Sequence, residues 1–263
     1  MAQAQNVDII ANNLANSDTL GFKKDAPTFK EYLSAVESEK GGAEVPRGSF
    51  KDKDFFPLDG RDQSFVVLDG TFTNFKQGAL RVTQNPLDIA LDGPGFLEVS
   101  TPSGVRYTRQ GSLKVAMDGR LVTTDGNPVL ASKPGGLAAP GELADAARFV
   151  NLRDRGTHFS ISSSGELYAG DQLIAKLSVV EFQDVNKLRK TGGSLFESQP
   201  NSTLVTGPVR TQVRQGVLET SNVNPIEEMT NLIRANRIYE SGLKAMKTYG
   251  EIMQRESNDI GKL

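Results

Sequence analysis

The 263-residue chain has no cysteine, no tryptophan and a single histidine. Without cysteine there is no disulfide, no thiol nucleophile and no Cys-based zinc or iron–sulfur site. The lone His158 rules out multi-histidine metal centres and leaves one position for an imidazole base. Charge of one sign is also lacking. The chain carries 30 Lys+Arg against 32 Asp+Glu, for a formal net charge of -2 and a pI near 5.6. That balance argues against a surface that tracks phosphates, so no nucleic-acid partner is expected. No run approaches the roughly 20 apolar residues that a membrane-spanning helix needs, so no membrane insertion is expected. The start of the chain, MAQAQNVDIIANNLANS, lacks the basic segment and apolar run of a secretory signal peptide. No cofactor, metal or small-molecule substrate is indicated. The composition disfavours an enzyme.

What is present is an ordinary globular composition, 37% hydrophobic and 24% charged. Glycine and proline cluster in the middle of the chain, where Asp-Gly pairs recur at 59–60, 69–70, 92–93, 118–119 and 125–126. Asp-Gly suits the positive φ angles of tight turns, because glycine has no Cβ to clash there. Between these pairs lie short β-rich stretches, among them Ile89–Leu91, Phe96–Ser100, Gly111–Met117 and Arg120–Thr123, and the pattern resumes further on, as at Leu177–Phe182. This spacing predicts an antiparallel β domain over 81–197. Residues 37–54, mixed in charge and broken by glycine, read as a solvated loop, and Lys133–Glu142 as a second one. The expected fold is mainly β with terminal α-helices, an antiparallel β domain inserted between coiled-coil-forming ends. Its expected parts are a helix over 1–16, an extended, loop-rich connector over 17–80, the β domain, a return segment over 198–224 and a helix over 225–263.

The carboxyl-terminal helix has a well-formed start: Asn224 as cap, Pro225 at the first helical position and Glu227 three after the cap. Met229, Leu232, Asn236, Tyr239, Leu243, Met246, Gly250 and Met253 then recur at alternating spacings of three and four, which is a heptad seam. Ile226, Ile233 and Ile252 widen it. The first helix repeats the spacing with Gln3, Val7, Ile10 and Leu14, and ends at Asn16-Ser17-Asp18 and Gly21. Two such seams pair most simply with each other, but at 1.5 Å per residue one spans about 50 Å and the other about 22 Å. The excess either meets other subunits or folds back onto the β domain as ordinary core. Spacing alone leaves both open.

The residues themselves add a resemblance. Ala11-Asn12-Asn13-Leu14-Ala15-Asn16 with Thr19-Leu20-Gly21-Phe22-Lys23 resembles the amino-terminal signature of bacterial flagellar rod and hook proteins. Ser221-Asn222-Val223-Asn224-Pro225 through Met229, continuing to Asn236-Arg237-Ile238-Tyr239-Glu240, resembles their carboxyl-terminal signature. Asn85-Pro86-Leu87-Asp88-Ile89 through Phe96, and Tyr107-Thr108-Arg109-Gln110-Gly111, resemble the family's interior segments. The length resembles a rod protein more than the larger hook protein. The stretch Val67–Leu80 is similar to the proximal-rod type, with the distal-rod type as alternative. Two departures touch packing only: Phe96-Leu97 stands where relatives carry two aromatics, and Leu113 where an aromatic is frequent. Relatives also carry further residues before the equivalent of Gln3, so the first helix is expected to be truncated.

The resemblance implies a structural, self-assembling subunit of the flagellar basal body, in the periplasm-spanning rod that drives motility. It implies as partners other rod subunits, further copies of this chain and the type III export apparatus, which passes the chain without a cleaved signal peptide. Val7, Ile10, Leu14, Met229, Leu232, Asn236, Tyr239, Leu243 and Met246 are then the expected assembly contacts. Asn12, Asn13, Asn16, Gly21, Phe22, Ser221, Asn222, Val223 and Asn224 are the family-motif residues.

Two other classes compete. A cell-wall-active glycosidase needs a carboxylate pair about 5–9.5 Å apart. The best candidates, Asp88 and Asp92, would stand about 13 Å apart in an extended strand, and read better as turn or strand-end residues. His158 has no adjacent serine–acid motif, and Gly93-Pro94-Gly95-Phe96 is not followed by a helical pattern as a phosphate loop would be. A β-rich adhesin module would explain 81–197 but leave both seams idle.

Overall fold

A computed structural model describes residues 2–34, 63–132, 145–153, 159–200, 202–205 and 209–260. It is mainly β, with helix α1 at Ala2–Ala15 and helix α2 at Pro225–Ile260. The chain divides into two compact units: Ile9–Ala26 with Phe72–Arg234, and Met1–Asp8 with Pro27–Thr71 and Ala235–Leu263. The loop readings at 37–54 and Lys133–Glu142, the Asp59-Gly60 turn and His158 lie outside the described residues.

Two strands precede the β-rich core, β1 at Asp25–Ser34 and β2 at Gln63–Thr73, and they form a two-stranded sheet. The Asp69-Gly70 pair is therefore not a turn, as its type suggested, but sits inside β2. Gly70 does not have a positive φ, and open space surrounds the place a Cβ would take. Asp-Gly permits a tight turn without forcing one, and the flanking Phe65-Val66-Val67-Leu68 and Thr71-Phe72-Thr73 favour continuing the strand. At Gly93, Gly119 and Gly126 the expected positive φ is found.

The core follows from β3 (Leu80–Val82), β4 (Ile89–Asp92), β5 (Phe96–Thr101), β6 (Gly104–Thr108), β7 (Leu113–Val115), β8 (Leu121–Thr123), β9 (Phe159–Ile161), β10 (Glu166–Ala169), β11 (Gln172–Lys176), β12 (Val179–Val180), β13 (Leu188–Gly192), β14 (Leu195–Ser198), β15 (Gln212–Gln215) and β16 (Val217–Glu219). The largest sheet is five-stranded, in the order β12-β5-β6-β14-β13, with all its neighbours antiparallel. Strand β5 is buried on both faces, and the period-two rule separates its side chains. Leu97 and Val99 enter one apolar cluster with Ile89, Leu91, Leu121 and Leu167. Phe96 enters the other, with Tyr107, Phe182 and Phe196, whose rings meet edge-on at centroid distances of 4.8–5.9 Å.

Glu98 shares the Phe96 face and is fully buried. It is paired with Arg148 and accepts from Ser178 Oγ at 2.7 Å, which is how a strand-centre carboxylate is kept inside. Burial, with Glu98 nearby, pushes the Tyr107 hydroxyl up to about 12. Two further antiparallel pairs, β15 with β4 and β16 with β3, bring residues 212–219 back to the start of the β-rich stretch. That return is what delivers the start of α2 beside residues 19–25.

Candidate assembly interface and the junction behind it

The signature segments at the two ends of the chain converge. Gly21 has φ +68°, and its N–H donates to the Glu219 carbonyl at 2.9 Å. A Cβ on Gly21 would lie 2.5 Å from the Arg109 carbonyl carbon and 2.6 Å from the Gln110 nitrogen, both backbone atoms that cannot swing away. Gly111 is confined in the same way, 1.6 Å from the Ile89 oxygen by the same construction. Gly21→Ala is therefore expected to cost more than the roughly 1 kcal/mol of the positive-φ conformation alone, read as a lowered denaturation midpoint. Gly242→Ala, in an open helical position, should instead raise helix stability slightly.

The motif asparagines tie backbone to backbone. Asn13, 1% exposed, donates Nδ2 to the Asp25 carbonyl at 2.7 Å and accepts the Asp25 N–H at Oδ1, 3.0 Å. Asn222 accepts the Lys24 N–H at 2.7 Å and donates to the Asn74 and Lys76 carbonyls at 2.8 and 3.0 Å. A side-chain amide suits this role because it offers donor and acceptor side by side. Asn16 Nδ2 closes the end of α1 on the Asn12 carbonyl at 2.8 Å. Ser221 Oγ accepts from the Val223 N–H at 3.2 Å, Asn224 Oδ1 caps α2 by accepting from Ile226 N–H at 3.2 Å, and Phe22 and Val223 are buried.

At the centre lies an ionic cluster that the sequence reading did not single out. Lys23 and Glu219 are both fully buried, with Lys23 Nζ 2.6 Å from Glu219 Oε1 and donating also to the Lys76 carbonyl at 2.8 Å. Glu219 Oε1 further accepts the Gly78 N–H at 2.9 Å, while Oε2 meets Arg109 Nη1 at 3.3 Å. Arg109 Nη2 donates to the Gly93 carbonyl at 2.6 Å, and its guanidinium lies 4.9 Å from the Phe96 ring centroid. Burial pulls both the Lys23 and the Arg109 pKa below their ordinary values, and the Glu219 carboxylate opposes that. Beside them Lys190 Nζ stands 2.9 Å from Asp25, 2.8 Å from the Lys23 carbonyl and 3.6 Å from the Phe22 ring centroid. Lys24 pairs with Glu228, a buried carboxylate in the first turn of α2. Lys23 and Arg109 stand within the signature segments, but nothing in the local sequence names their partners: Lys23 and Glu219 are 196 positions apart.

The expected contact residues fall into two groups. In α1, Ile10 is buried and Val7 and Leu14 are half-buried. In α2, Leu232 is half-buried, and one turn to either side of it Glu228 and Ala235 are buried. From Asn236 to Arg255 every side chain is exposed. Met229 is 51% exposed, Tyr239 38%, Leu243 44% and Met246 64%. Ile238, Tyr249 and Ile252 are exposed on a second line beside the seam, and Glu240, Lys244, Lys247, Glu251 and Arg255 occupy the opposite arc. From Asn236 onward the seam is thus not core among the described residues.

The carboxylates weighed for catalysis have structural partners instead. Asp88 accepts from Thr83 Oγ1 at 2.7 Å and Asn85 Nδ2 at 3.1 Å, closing the turn into β4, and Asp92 pairs with Arg214 at 2.6 Å.

Three family models match the chain. They are described as flagella basal body rod protein over residues 1–23, flagellar hook protein FlgE/F/G D1 domain over 90–169, and flagellar basal body rod FlgEFG protein C-terminal over 214–260. The flagellar basal-body rod protein FlgG of Bacillus subtilis is 31% identical over 258 residues, covering 96% of this chain and 92% of the relative. FlgF of Caulobacter vibrioides is 29% identical over 265 residues, covering 100% of this chain and 95% of the relative. FlgG of the same organism is 28% identical over 268 residues, covering 97% and 94%. The junction glycines and asparagines, the cap of α2 and the exposed seam all lie in or beside the matched segments. The chain belongs to the family of flagellar basal-body rod proteins and is a structural subunit, not an enzyme.

Proposed function

We propose that this chain is a proximal-rod subunit that polymerises through its terminal helices, α2 supplying the larger contact. The observation that carries this reading is the apolar stripe of α2, exposed from Tyr239 to Met253 with charged residues confined to the opposite arc. A 36-residue helix with such a stripe gains most of its stability by packing that face against others. The two adjacent apolar lines make the arc wider than a single coiled-coil seam, which suits a helix held between more than one neighbour in a tube wall. Asn236 on the seam fixes the register at some cost in stability. Head-to-tail contacts of this kind, when their rotation does not close a ring, produce a helical shaft.

The proximal position is supported by the stretch Val67–Leu80 and by the likeness to FlgF along the whole chain. The distal position is the second reading, favoured by the similarity to FlgG of Bacillus subtilis. Passage through the flagellar export channel as an unfolded chain fits the absence of cysteine, since no disulfide has to be opened. Deletion of 225–263 is expected to abolish rod assembly and motility. Intact motility after that deletion would remove the reading, and imaging of basal bodies carrying a tagged subunit separates the two positions.

A further inference from the structure

Methionine is a residue that folded chains usually bury. Here the four described methionines are all exposed by half or more: Met117 at 105% of its reference exposure, Met229 at 51%, Met246 at 64% and Met253 at 67%. Three of the chain's five methionines stand on one seam, that of α2. Met246 and Met253 are one heptad apart, so they share a line along the helix. Leu243 and Gly250 flank them on the seam and bring no side-chain hydrogen-bonding group, and open space surrounds the place a Cβ on Gly250 would take.

A thioether in solvent is open to two-electron oxidants such as hydrogen peroxide or hypochlorous acid. Thiols would compete for the oxidant, and this chain has none. With peroxide, the sulfur lone pair attacks one oxygen, an S–O bond forms, the O–O bond breaks, and water leaves after proton transfer. Sulfur loses two electrons and the peroxide gains them. With hypochlorous acid, chloride and a proton leave instead. The product, methionine sulfoxide, is polar and carries a strong acceptor oxygen. On the free subunit water satisfies that oxygen. Against another apolar seam it is buried with no donor to meet it.

We propose that Met246 and Met253 form an oxidation site on α2, whose conversion to methionine sulfoxide by a peroxide or hypohalous acid withholds the subunit from assembly. The inference rests on the reading of the α2 seam as a polymer contact and adds a chemical control to it. The modification is reversible: a methionine sulfoxide reductase drawing on a dithiol returns the thioether and water, while the dithiol closes to a disulfide. It also distinguishes states. Packing in a shaft covers the seam, so finished rods resist the oxidant and unassembled subunits do not.

The purified chain is treated with dilute hydrogen peroxide, and oxygen gain at each methionine is followed by peptide mass spectrometry. Met117, wholly in solvent, is the reference within the same molecule. Met246 and Met253 should react within severalfold of its rate, and a much slower reaction overturns the proposal. In isolated basal bodies both should react at least severalfold more slowly than in the free chain, and equal rates overturn it too. In cells carrying only the variant chain, Met246→Gln with Met253→Gln, which places a polar oxygen near where the sulfoxide's would be, should lower incorporation and swimming at least severalfold. Met246→Leu with Met253→Leu should incorporate at the wild-type level. It should keep doing so under a sublethal hypochlorous acid challenge that lowers incorporation of the wild-type chain severalfold. Full incorporation of the double glutamine variant, failure of the double leucine variant, or equal incorporation of the wild-type and leucine chains under the challenge overturns the proposal. Absence of the unchallenged wild-type chain from basal bodies would instead remove the rod reading, and this site with it.

Discussion

Glu219→Ala is expected to destabilise the β-rich unit by about 3–5 kcal/mol, the usual cost of removing one partner from a buried ion pair. The substitution strips the anion from Lys23 and Arg109 together and leaves two buried cations facing each other across an empty site. It also orphans the Gly78 N–H, which donates to Glu219 Oε1. For a unit of this size the melting temperature should fall by on the order of 10 °C. Lys23→Met should cost clearly less. It removes one cation while Arg109 and Gly78 still satisfy the carboxylate, and the methionine stem fills much of the lysine's volume. The order of the two effects, measured by thermal or denaturant unfolding of the purified chain, is the informative result. If Lys23→Met were the more damaging, the Lys23 ammonium rather than the Glu219 carboxylate would be the group on which the cluster depends. Asp118→Ala, which breaks an exposed pair with Arg120, serves as a control with no measurable effect on stability.

The contrast between the two helices and the junction explains what the sequence could be made to tell. The ends of α2 are written locally: Asn224, Pro225 and Glu227 mark the start within four residues, and the spacing of Met229, Leu232, Tyr239 and Leu243 marks the face. Many of the strands are local too, because β5 alternates between two clusters with the period of a strand and turns at Gly93, Gly119 and Gly126 need glycine. The pair Asp69-Gly70 shows the limit of that reasoning, since a residue type that allows a turn does not exclude a strand. The junction is not local at all. Glu219 meets Lys23 and Arg109 from far along the chain, and Glu98 meets Arg148 across 50 positions. A buried charge looks in sequence like any surface charge until its partner is known. Resemblance marked Asn13, Gly21 and Asn222 as signature residues, and the hydrogen bonds supply the reason: each holds one segment of backbone against another.

Leu243→Asp and Met246→Asp are expected to abolish incorporation into the rod, and swimming with it, while the thermal transition of the β-rich unit stays where it was. Both side chains are exposed in the chain described here, so neither substitution removes a contact from the subunit itself. In an assembled tube each would bury an unpaired carboxylate, at a cost of several kcal/mol per contact. The cost recurs at every subunit, so modest weakening of one contact becomes loss of the polymer. Leu232→Asp should behave differently. Leu232 is half-buried in the two turns that also bury Glu228 and Ala235, and a second carboxylate there would repel Glu228 four residues away. It should therefore lower the stability of the free subunit as well as block assembly. Lys247→Ala, on the charged arc, should leave both properties unchanged. Swimming assays, immunoblots of isolated basal bodies and melting of the purified variants separate these cases. A drop in the melting temperature of Leu243→Asp equal to that of Leu232→Asp would mean that the distal seam is covered within the free subunit, and α2 would then have no open face with which to build a shaft.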